Sequence, residues 1–465
     1  SNWQNIRNIN YFMTHYQSVQ AAEADVNIYV AEMRFFRALE YFNKIQLLGD
    51  VPWLEVDLNV DSEELYGPKM KRNQVFQKII EDLDFAIQWL PEAGSEEANR
   101  LNKDIARHVK ARFCLNEGTH YKYHDELEYA SEAEKWLQMA ATESDKLITS
   151  GRYEIYNTGH PQEDYFNMYR IDDKSDLKEA VLYVDYKTNI REHNMAAAGR
   201  EAGCGFSKSF VESFLCSDGL PISLSNKYLG DETMRKETAN RDPRLKQLIL
   251  TNDFPTNVTD DLKDSTFVVN EDEFITQHCF TGYRPIKGFN PIYSQALYMK
   301  SSFDGIAYRY AETLLINAEA KAELNTITNA DLDRTVNQLR DRVGMPHLTV
   351  NVGFTDPKWP DWGYSLSPVL QEIRRERCIE LAGEGFRFND LKRWKAGKLL
   401  NNVLTYVGKR KPDGNLAIVY PNYTNPDLSY QAGKSRTWED KMYLYPIPTG
   451  ELQRNPQLLP QNPGW

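Results

Sequence analysis

Apolar side chains recur at helical spacing in the first third of the chain. Between Ile28 and Leu48 they form one continuous stripe, because an apolar residue returns every third or fourth position. The members of the stripe are Ile28, Ala31, Phe35, Ala38, Leu39, Phe42 and Ile45. Gly49 suits the end of a helix, and Pro52 prevents the helix from continuing. The pattern predicts a long amphipathic helix that buries one face.

Similar spacing predicts four more helices before residue 150. They span residues 1–16, 73–91, 104–116 and 133–148. Asn73 is the predicted N-cap of the second, and Ser131 with Glu134 forms a capping box ahead of the last. No strict repeat period is visible. Helices of this length, with small alanines at the contacts, nevertheless suit a degenerate tetratricopeptide-like stack.

The pattern changes between about Tyr153 and Asp304. Proline, glycine and asparagine are frequent there, and strand-like pieces such as Ala180–Tyr186 and Phe267–Val269 are short. We interpret this region as a long loop-rich excursion beside the helices rather than a separate second domain. Helical spacing returns from Ile306 onwards.

The densest charge lies between Leu370 and Trp394. Glu376, Glu380 and Glu384 recur at every fourth position, so they share one helix face, and arginines stand among them. Acids and arginines packed this closely predict buried ion pairs between two helices. The predicted network comprises Arg374, Glu376, Arg377, Glu380, Glu384, Arg387, Asp390 and Arg393. A carboxylate active site is the alternative, but neighbouring arginines disfavour the distinct proton affinity that catalysis needs.

Composition excludes several classes of function. The formal net charge of −12 argues against nucleic acid as the main partner, since phosphate binding needs basic patches. The five cysteines contain no C-x-x-C pair, so a zinc ribbon or thioredoxin-like site has no support. His120 and His124 are spaced to share a metal on a helix, but Tyr121 stands where a zincin needs glutamate. We therefore predict no metal and no cofactor.

Several motifs resemble those of the SusD/RagB family. The segment Arg374–Trp394 fits the family pattern R-x-E-R-x-x-E-L-x-x-E-G-x-R-x-x-D-L-x-R-W, and Ala31–Pro52 fits its A-E-x-R-F-x-R-A…Y-F…L-x-G-D-V-P pattern. Further similar segments lie at residues 210–221, 241–250, 309–324 and 337–346 and at the carboxy-terminal PIP…QNPGW. The resemblance covers essentially the whole chain in order.

The resemblance implies a fold and assigns a structural or a ligand-binding role to each part of the chain. The fold is mainly α-helical, with tetratricopeptide-like stacked helix pairs and the long loop-rich excursion built on them. We expect one domain over residues 1–465. Its helical stack lies mainly in 1–150 and 305–400, and its loop-rich, ligand-binding part mainly in 151–304 and 345–368.

The resemblance also implies a function and a location. Family members are non-catalytic, surface-exposed outer-membrane lipoproteins of Bacteroidetes-type bacteria. The implied partners are an oligosaccharide or polysaccharide (or another nutrient), a SusC-like TonB-dependent transporter that receives it, and the membrane through a lipid anchor. Because no lipidated cysteine precedes Ser1, we expect the native protein to extend further upstream with that anchor.

Aromatic side chains in loops are the candidate ligand-binding residues, because sugar rings have apolar faces that pack on flat side chains. The candidates are Tyr66, Tyr283, Phe289, Tyr293, Trp359 and Trp362, with Arg191, His193 and Asn194 as polar partners. Ordinary packing of each loop is the alternative for every one of them. Two alternative functions remain open: a glycosidase using acids such as Glu376, Glu380 or Asp390, and a helical scaffold that binds only protein.

Overall fold

A computed structural model of the protein describes residues 3–95, 99–195, 205–252, 254–258, 264–266, 279–418 and 436–465. The chain forms two compact units. Unit 1 combines Ser1–Leu147 with Trp438–Trp465, and unit 2 is Ile148–Thr437. The expected organisation as one domain, with its stack in 1–150 and 305–400, stays a prediction.

Unit 1 is built from long helices. They are α1 (Gln4–His15), α2 (Glu23–Leu48), α3 (Arg72–Trp89), α4 (Lys103–Tyr123) and α5 (Ala133–Thr149), followed near the chain end by a short helix, Thr449–Arg454. Helix α2 packs against both α1 and α3, and α3 packs against α4. Phe42 of the predicted stripe stacks on Phe113 of α4 with ring centroids 3.6 Å apart. Burial of one face of α2 thus assembles this unit.

Several helix boundaries in unit 1 differ from the predictions. Helix α2 begins at Glu23, five residues before the predicted start at Ile28. The N-cap of α3 is Lys71 rather than Asn73, whose side chain instead donates to Glu132 at 2.8 Å. Helix α4 continues to Tyr123, seven residues past the predicted end at Asn116. Most of these added residues are buried, so tertiary packing extends the helix beyond the point where its apolar spacing weakens.

Unit 2 contains shorter helices. Their bounds are Asp164–Tyr169, Lys208–Ser213, Met234–Thr238, Arg244–Leu248, Tyr293–Ala296, Tyr310–Glu323, Asn329–Asp333, Val336–Arg342, Pro368–Glu380 and Arg387–Arg393. The helix Tyr310–Glu323 packs against Val336–Arg342 and against Pro368–Glu380. The prediction of a mainly α-helical protein is confirmed.

The strands within the described part of unit 2 form three antiparallel pairs. They are β1 (Ala180–Val184) with β4 (Gly305–Arg309), β2 (Pro255–Val258) with β3 (Asp264–Thr266), and β5 (Val407–Arg410) with β6 (Leu416–Ile418). Pairing of β1 with β4 explains why the helix predicted from Ile306 begins only at Tyr310. The predicted strand at Phe267–Val269 lies outside the described residues.

A lattice of buried ion pairs lies at the centre of unit 2. The carboxylate of Glu380 is fully buried and accepts hydrogen bonds from three arginines. Arg342 donates at 2.6 and 2.7 Å, Arg309 at 2.7 Å and Arg244 at 2.9 Å. Burial by itself raises the pKa of a carboxyl group, but these arginines hold the pKa of Glu380 well below its usual range.

The same lattice also joins the helices Pro368–Glu380 and Arg387–Arg393. Asp390 accepts from Arg377 and from Arg393, each at 2.9 Å, and Arg393 also reaches Glu319 at 2.6 and 2.8 Å. Arg374 pairs with Glu323 at 2.9 Å. The Pro368–Glu380 and Arg387–Arg393 helices and the helix Tyr310–Glu323 are therefore joined by charge as well as by apolar contact.

Two further acids complete the lattice. Glu376 accepts from Arg244 at 2.5 Å and from Arg340 at 3.1 Å. Glu384 accepts from Arg309 at 2.7 Å and from Lys287 at 2.6 Å.

Arg387 departs from the predicted network. Its side chain is exposed at the start of its helix, and its guanidinium lies over the Trp394 ring at 5.9 Å from the centroid. Phe388 and Asn389, the next two residues of this first helical turn, are exposed as well, so the predicted burial of Arg387 is wrong.

Candidate functional site

Two segments of unit 2 meet to form an exposed aromatic surface, which we call the tyrosine surface and define as residues 186–195 with 292–302. An antiparallel bridge joins the segments: His193 N–H donates to Ser301 O at 2.8 Å, and Ser301 N–H donates to His193 O at 3.1 Å. Tyr293 is 59% exposed and Tyr298 is 72% exposed. Ile190, Met195, Leu297 and Met299 are also exposed.

Tyr298 is held at the tip of a tight turn. Lys300 N–H donates to Leu297 O at 3.2 Å, which closes the turn, and Met299 has a φ of 55°. A left-handed backbone at a residue other than glycine is unfavourable and persists only where its surroundings fix it. Here Asn194 fixes it, because its Oδ1 accepts from Met299 N–H at 2.9 Å. The strained turn presents the Tyr298 ring to solvent.

The three predicted polar partners all lie on the tyrosine surface. Asn194 holds the turn with Oδ1, and its Nδ2 finds no partner among the described residues. The exposed Arg191 guanidinium lies over the Tyr186 ring at 4.9 Å from the centroid. Both residues therefore have donors that can reach a hydroxyl group.

His193 has a structural role instead. Its Nδ1 accepts from Met195 N–H at 3.1 Å, so Nε2 carries the proton and donates to Phe303 O at 2.9 Å. Burial lowers the pKa of His193, which keeps the ring neutral at pH 7. With both nitrogens occupied, the ring cannot bond a sugar without breaking the turn, so the predicted ligand role of His193 does not hold.

Two predicted aromatic candidates belong to the core. Tyr283 and Phe289 pack with Phe214, Leu248 and Ile286 in the apolar cluster of unit 2. The hydroxyl group of Tyr283 also donates to the buried carboxylate of Glu237. Because neither ring is open to solvent, neither can act as a sugar platform, and the prediction for these two residues is wrong.

The remaining three aromatic candidates do not belong to the tyrosine surface. Trp362 is buried and packs edge to face on Trp394 at 5.4 Å, so it is not a platform either. Trp359 is half-buried and lines a separate cleft of unit 2. Tyr66 is exposed in unit 1, at the end of the 3-10 helix Glu63–Tyr66.

The prediction missed Tyr298 and Tyr186, which contribute to the tyrosine surface. Both stand in loop segments that also contain predicted candidates, so the signal was available in the sequence. The sequence does not show, however, which of these rings are exposed. Tyr298 is solvent-facing and Phe289 is buried, although both lie in the same proline- and glycine-rich region.

Fold and surface together define a class: a mainly helical protein that presents aromatic side chains on loops. The chain belongs to the SusD family, whose sequence profile matches residues 147–465. Two relatives are SusD-like proteins P2 and P25 of Formosa agariphila. P2 is 25% identical over 456 residues, covering 95% of this chain and 75% of the relative. P25 is 24% identical over 455 residues, covering 94% and 72%.

Solved structures share the fold. A SusD-like protein of Bacteroides fragilis has a TM-score of 0.72 at 24% identity, covering 99% of this chain and 84% of its own. A SusD-like carbohydrate binding protein of the same species has a TM-score of 0.71 at 22% identity, covering 98% and 85%. A laminarin binding SusD-like protein has a TM-score of 0.55 at 21% identity, covering 100% and 84%. The predicted tetratricopeptide-like, SusD-like fold is thereby confirmed.

Proposed function

We propose that the protein captures glycans at the cell surface without hydrolysing them and passes them to a SusC-like TonB-dependent transporter. The tyrosine surface is the observation that carries the proposal. Its two exposed tyrosines offer flat rings for the apolar face of a sugar, and Arg191 and Asn194 offer donors for hydroxyl groups. A nutrient other than a glycan is the alternative ligand.

Family membership supports this proposal. One solved relative is described as carbohydrate binding and another as laminarin binding. At 21–22% identity those relatives share the fold with this chain, so the glycan has to be found by a screen. We place the protein on the outer face of the outer membrane, held by a lipid anchor. Among the described residues, no helix is both long and apolar enough to cross a bilayer.

The lattice acids are poorly suited to the alternative of glycoside hydrolysis. Glu376, Glu380 and Asp390 are almost completely buried, so a glycosidic oxygen cannot reach them. A general acid also needs a pKa raised towards neutrality, whereas arginines hold the pKa of Glu380 well below its usual range despite its burial. The exposed aromatics of the loop-rich region likewise favour ligand capture over a scaffold that binds only protein.

Affinity electrophoresis in native gels tests the proposal. The purified protein is run in gels that contain laminarin, xylan, soluble starch or polygalacturonate, and reducing sugar is assayed in parallel. We expect retardation by at least one glycan without sugar release. Tyr298→Ala should weaken that binding about fivefold, since an aromatic contact of this kind is worth on the order of 1 kcal/mol.

Matched variants locate the site. Tyr445→Ala removes a similarly exposed tyrosine from unit 1 and should leave retardation unchanged. Tyr293→Ala reports whether the platform includes that ring, and Tyr66→Ala reports whether unit 1 offers a contact of its own. Equal retardation of Tyr293→Ala, Tyr298→Ala and the wild type would remove the tyrosine surface from the proposal, and release of reducing sugar would overturn the non-catalytic function.

Transfer to a transporter needs its own test. The full-length lipoprotein is co-expressed with a SusC-like transporter from the same organism, and the transporter is purified through an affinity tag. We expect the two proteins to co-purify in a fixed ratio and Tyr298→Ala to co-purify equally well, because the tyrosine surface serves the glycan. Failure of the wild type to co-purify argues against delivery and leaves capture standing.

A further inference from the structure

Unit 2 also contains a cleft of about 780 Å³, distinct from the tyrosine surface. This volume falls within the range of about 300–1,000 Å³ that is usual for small-molecule sites. Its walls come from residues 207–213, the loop 356–362, the helix Pro368–Glu380 and residues 398–405. None of the residues that line it belongs to the tyrosine surface.

Positive charge exceeds negative charge along the cleft. The cationic lining side chains are Lys358, Arg374, Arg375, Arg387 and Lys398, and the acidic ones are Glu212, Asp356 and Asp361. Three of the cations are neutralised: Arg375 by Asp356 at 2.6 Å, Arg374 by Glu323 at 2.9 Å, and Lys358 by Glu212 at 3.4 Å.

The other two cations, Arg387 and Lys398, are not neutralised in this way. Both are exposed, and in the part of the chain that the structure describes neither has a carboxylate within ion-pair distance. Two unneutralised cations in one cleft are notable in a chain with a net charge of −12. The lining acid Asp361 also has no cation within ion-pair distance in the described residues, so these three side chains leave an excess of one positive charge, which attracts anions to the cleft although the molecule as a whole repels them.

An aromatic ring stands in the same cleft. Trp359 is half-buried, and its Nε1 donates to Glu372 Oε1 at 2.7 Å. Arg375 Nε donates to the same oxygen at 3.2 Å, and Arg375 is itself paired with Asp356. These bonds fix the tryptophan in the wall of the cleft, where part of its ring remains accessible. Apolar neighbours such as Phe210, Leu399 and Leu404 line the same space.

We propose that this cleft binds an anionic sugar unit of a polysaccharide, that is, a hexose that carries a carboxylate or a sulfate ester. The Trp359 ring packs on the sugar, and Arg387 and Lys398 pair with the anionic group. Guanidinium and ammonium groups suit both oxyanions. The inference rests on the proposed glycan-binding function and extends it, because it assigns a second site and a charge class to the ligand.

Calorimetric titration of the whole protein tests the inference. The probes are a galacturonate trisaccharide for the carboxylate, a carrageenan-derived oligosaccharide for the sulfate ester, and a neutral laminarin oligosaccharide as reference. We expect at least one acidic probe to bind, with an affinity that falls as salt is raised, since screening weakens exposed charge pairs. The acidic probe that binds more tightly identifies the anion.

Charge variants separate the cleft from the rest of the surface. Lys398→Gln should weaken acidic binding about fivefold, and Arg387→Gln/Lys398→Gln about tenfold or more, since charge-assisted contacts are the stronger hydrogen bonds. Trp359→Ala should weaken it as well. Lys246→Gln is the matched control, because it removes one exposed lysine of unit 2 that does not line the cleft. It should leave the affinity unchanged.

The outcomes distinguish this inference from the proposed function. If acidic probes fail to bind, or bind the double variant as tightly as the wild type, the cleft is not an anionic sugar site. Loss of acidic binding in Tyr298→Ala alone would likewise overturn it. In each case, retardation by a neutral glycan that depends on Tyr298 still supports capture at the tyrosine surface.

Discussion

Replacing Glu380 with glutamine tests whether the buried lattice holds unit 2 together. Glu380→Gln keeps the shape of the side chain and removes one negative charge. The amide N–H₂ group then faces Arg342 and either Arg309 or Arg244, because Arg342 bonds both oxygens and the other two bond one each; all three arginines have only donors. The substitution therefore leaves buried guanidinium groups with less negative charge near them and places N–H donors against other N–H donors.

The magnitude follows from the geometry. At an effective dielectric constant of about 20, one arginine–carboxylate attraction at ~4 Å is worth ~4 kcal/mol, and three arginines converge on Glu380. Part of the loss is offset, because Arg309 keeps Glu179 and Glu384, and Arg244 keeps Asp242. We expect the free energy of unfolding to fall by about 3–5 kcal/mol, the usual cost of removing one partner from a buried pair.

Scanning calorimetry provides the assay. For a unit of this size, the expected loss lowers the unfolding temperature by about 6–10 °C. Glu451→Gln is the matched control, since it makes the same chemical change in an exposed pair with Arg454 and should cost less than about 1 kcal/mol. If the unfolding temperatures of the two variants agree within about 1 °C, the lattice does not stabilise unit 2 as argued.

Further predictions concern pH, the strained turn and the core. Because the pKa of Glu380 is lowered on folding, its contribution is present above about pH 4.3 and is lost as pH falls; acid unfolding followed by circular dichroism should be less pH-dependent in Glu380→Gln. Met299→Gly should keep glycan retardation, since glycine accepts a φ of 55°, whereas the β-branched Met299→Ile should weaken it several-fold. Tyr283→Phe should lower the free energy of unfolding by about 1–3 kcal/mol, because buried Glu237 loses a donor, and should leave glycan binding unchanged in the same gels.

Regular periodicity explains why the helices of unit 1 could be predicted closely. The stripe of α2 repeats over several turns, and Gly49 and Pro52 mark its end, so local sequence defines that helix. The start of the helix at Tyr310 could not be read in the same way. Its preceding residues have helical spacing, but they pair as β4 with a strand more than a hundred residues earlier. Such long-range pairing leaves no local signal.

The ion-pair lattice was only half visible in the sequence. The spacing of Glu376 and Glu380 shows that these acids share a helix face, but it does not show which arginines reach them. The partners Arg244, Arg309 and Arg342 come from three other segments, each of which itself resembles a family motif. Charged residues in separate motifs of one family are therefore candidates for contact with one another, which the periodicity of a single helix cannot reveal.

The exposure of the loop aromatics could not be predicted from the sequence. Tyr283 and Tyr298 stand in the same region with similar neighbours, yet one donates to a buried carboxylate and the other occupies the tip of a strained turn. Aromatic rings are stable in both settings, because each has a large apolar face and a polar end. Exposure is decided by which loop packs on which, and one sequence does not contain that information.

These two cases explain why the family is easier to recognise than the ligand. The strongest motif, Arg374–Trp394, supplies acids and arginines that are mostly buried in the lattice, where replacing one member leaves an unpaired charge. The tyrosine surface has no comparable restriction: Tyr298 can be replaced without breaking an ion pair, and its turn depends mainly on Asn194. Substitutions in the lattice therefore require a second substitution in the partner residue, whereas an aromatic residue of a loop can be substituted by itself. The loops of a SusD family member therefore determine which ligand it binds, and the lattice motif indicates only that the chain has the family fold.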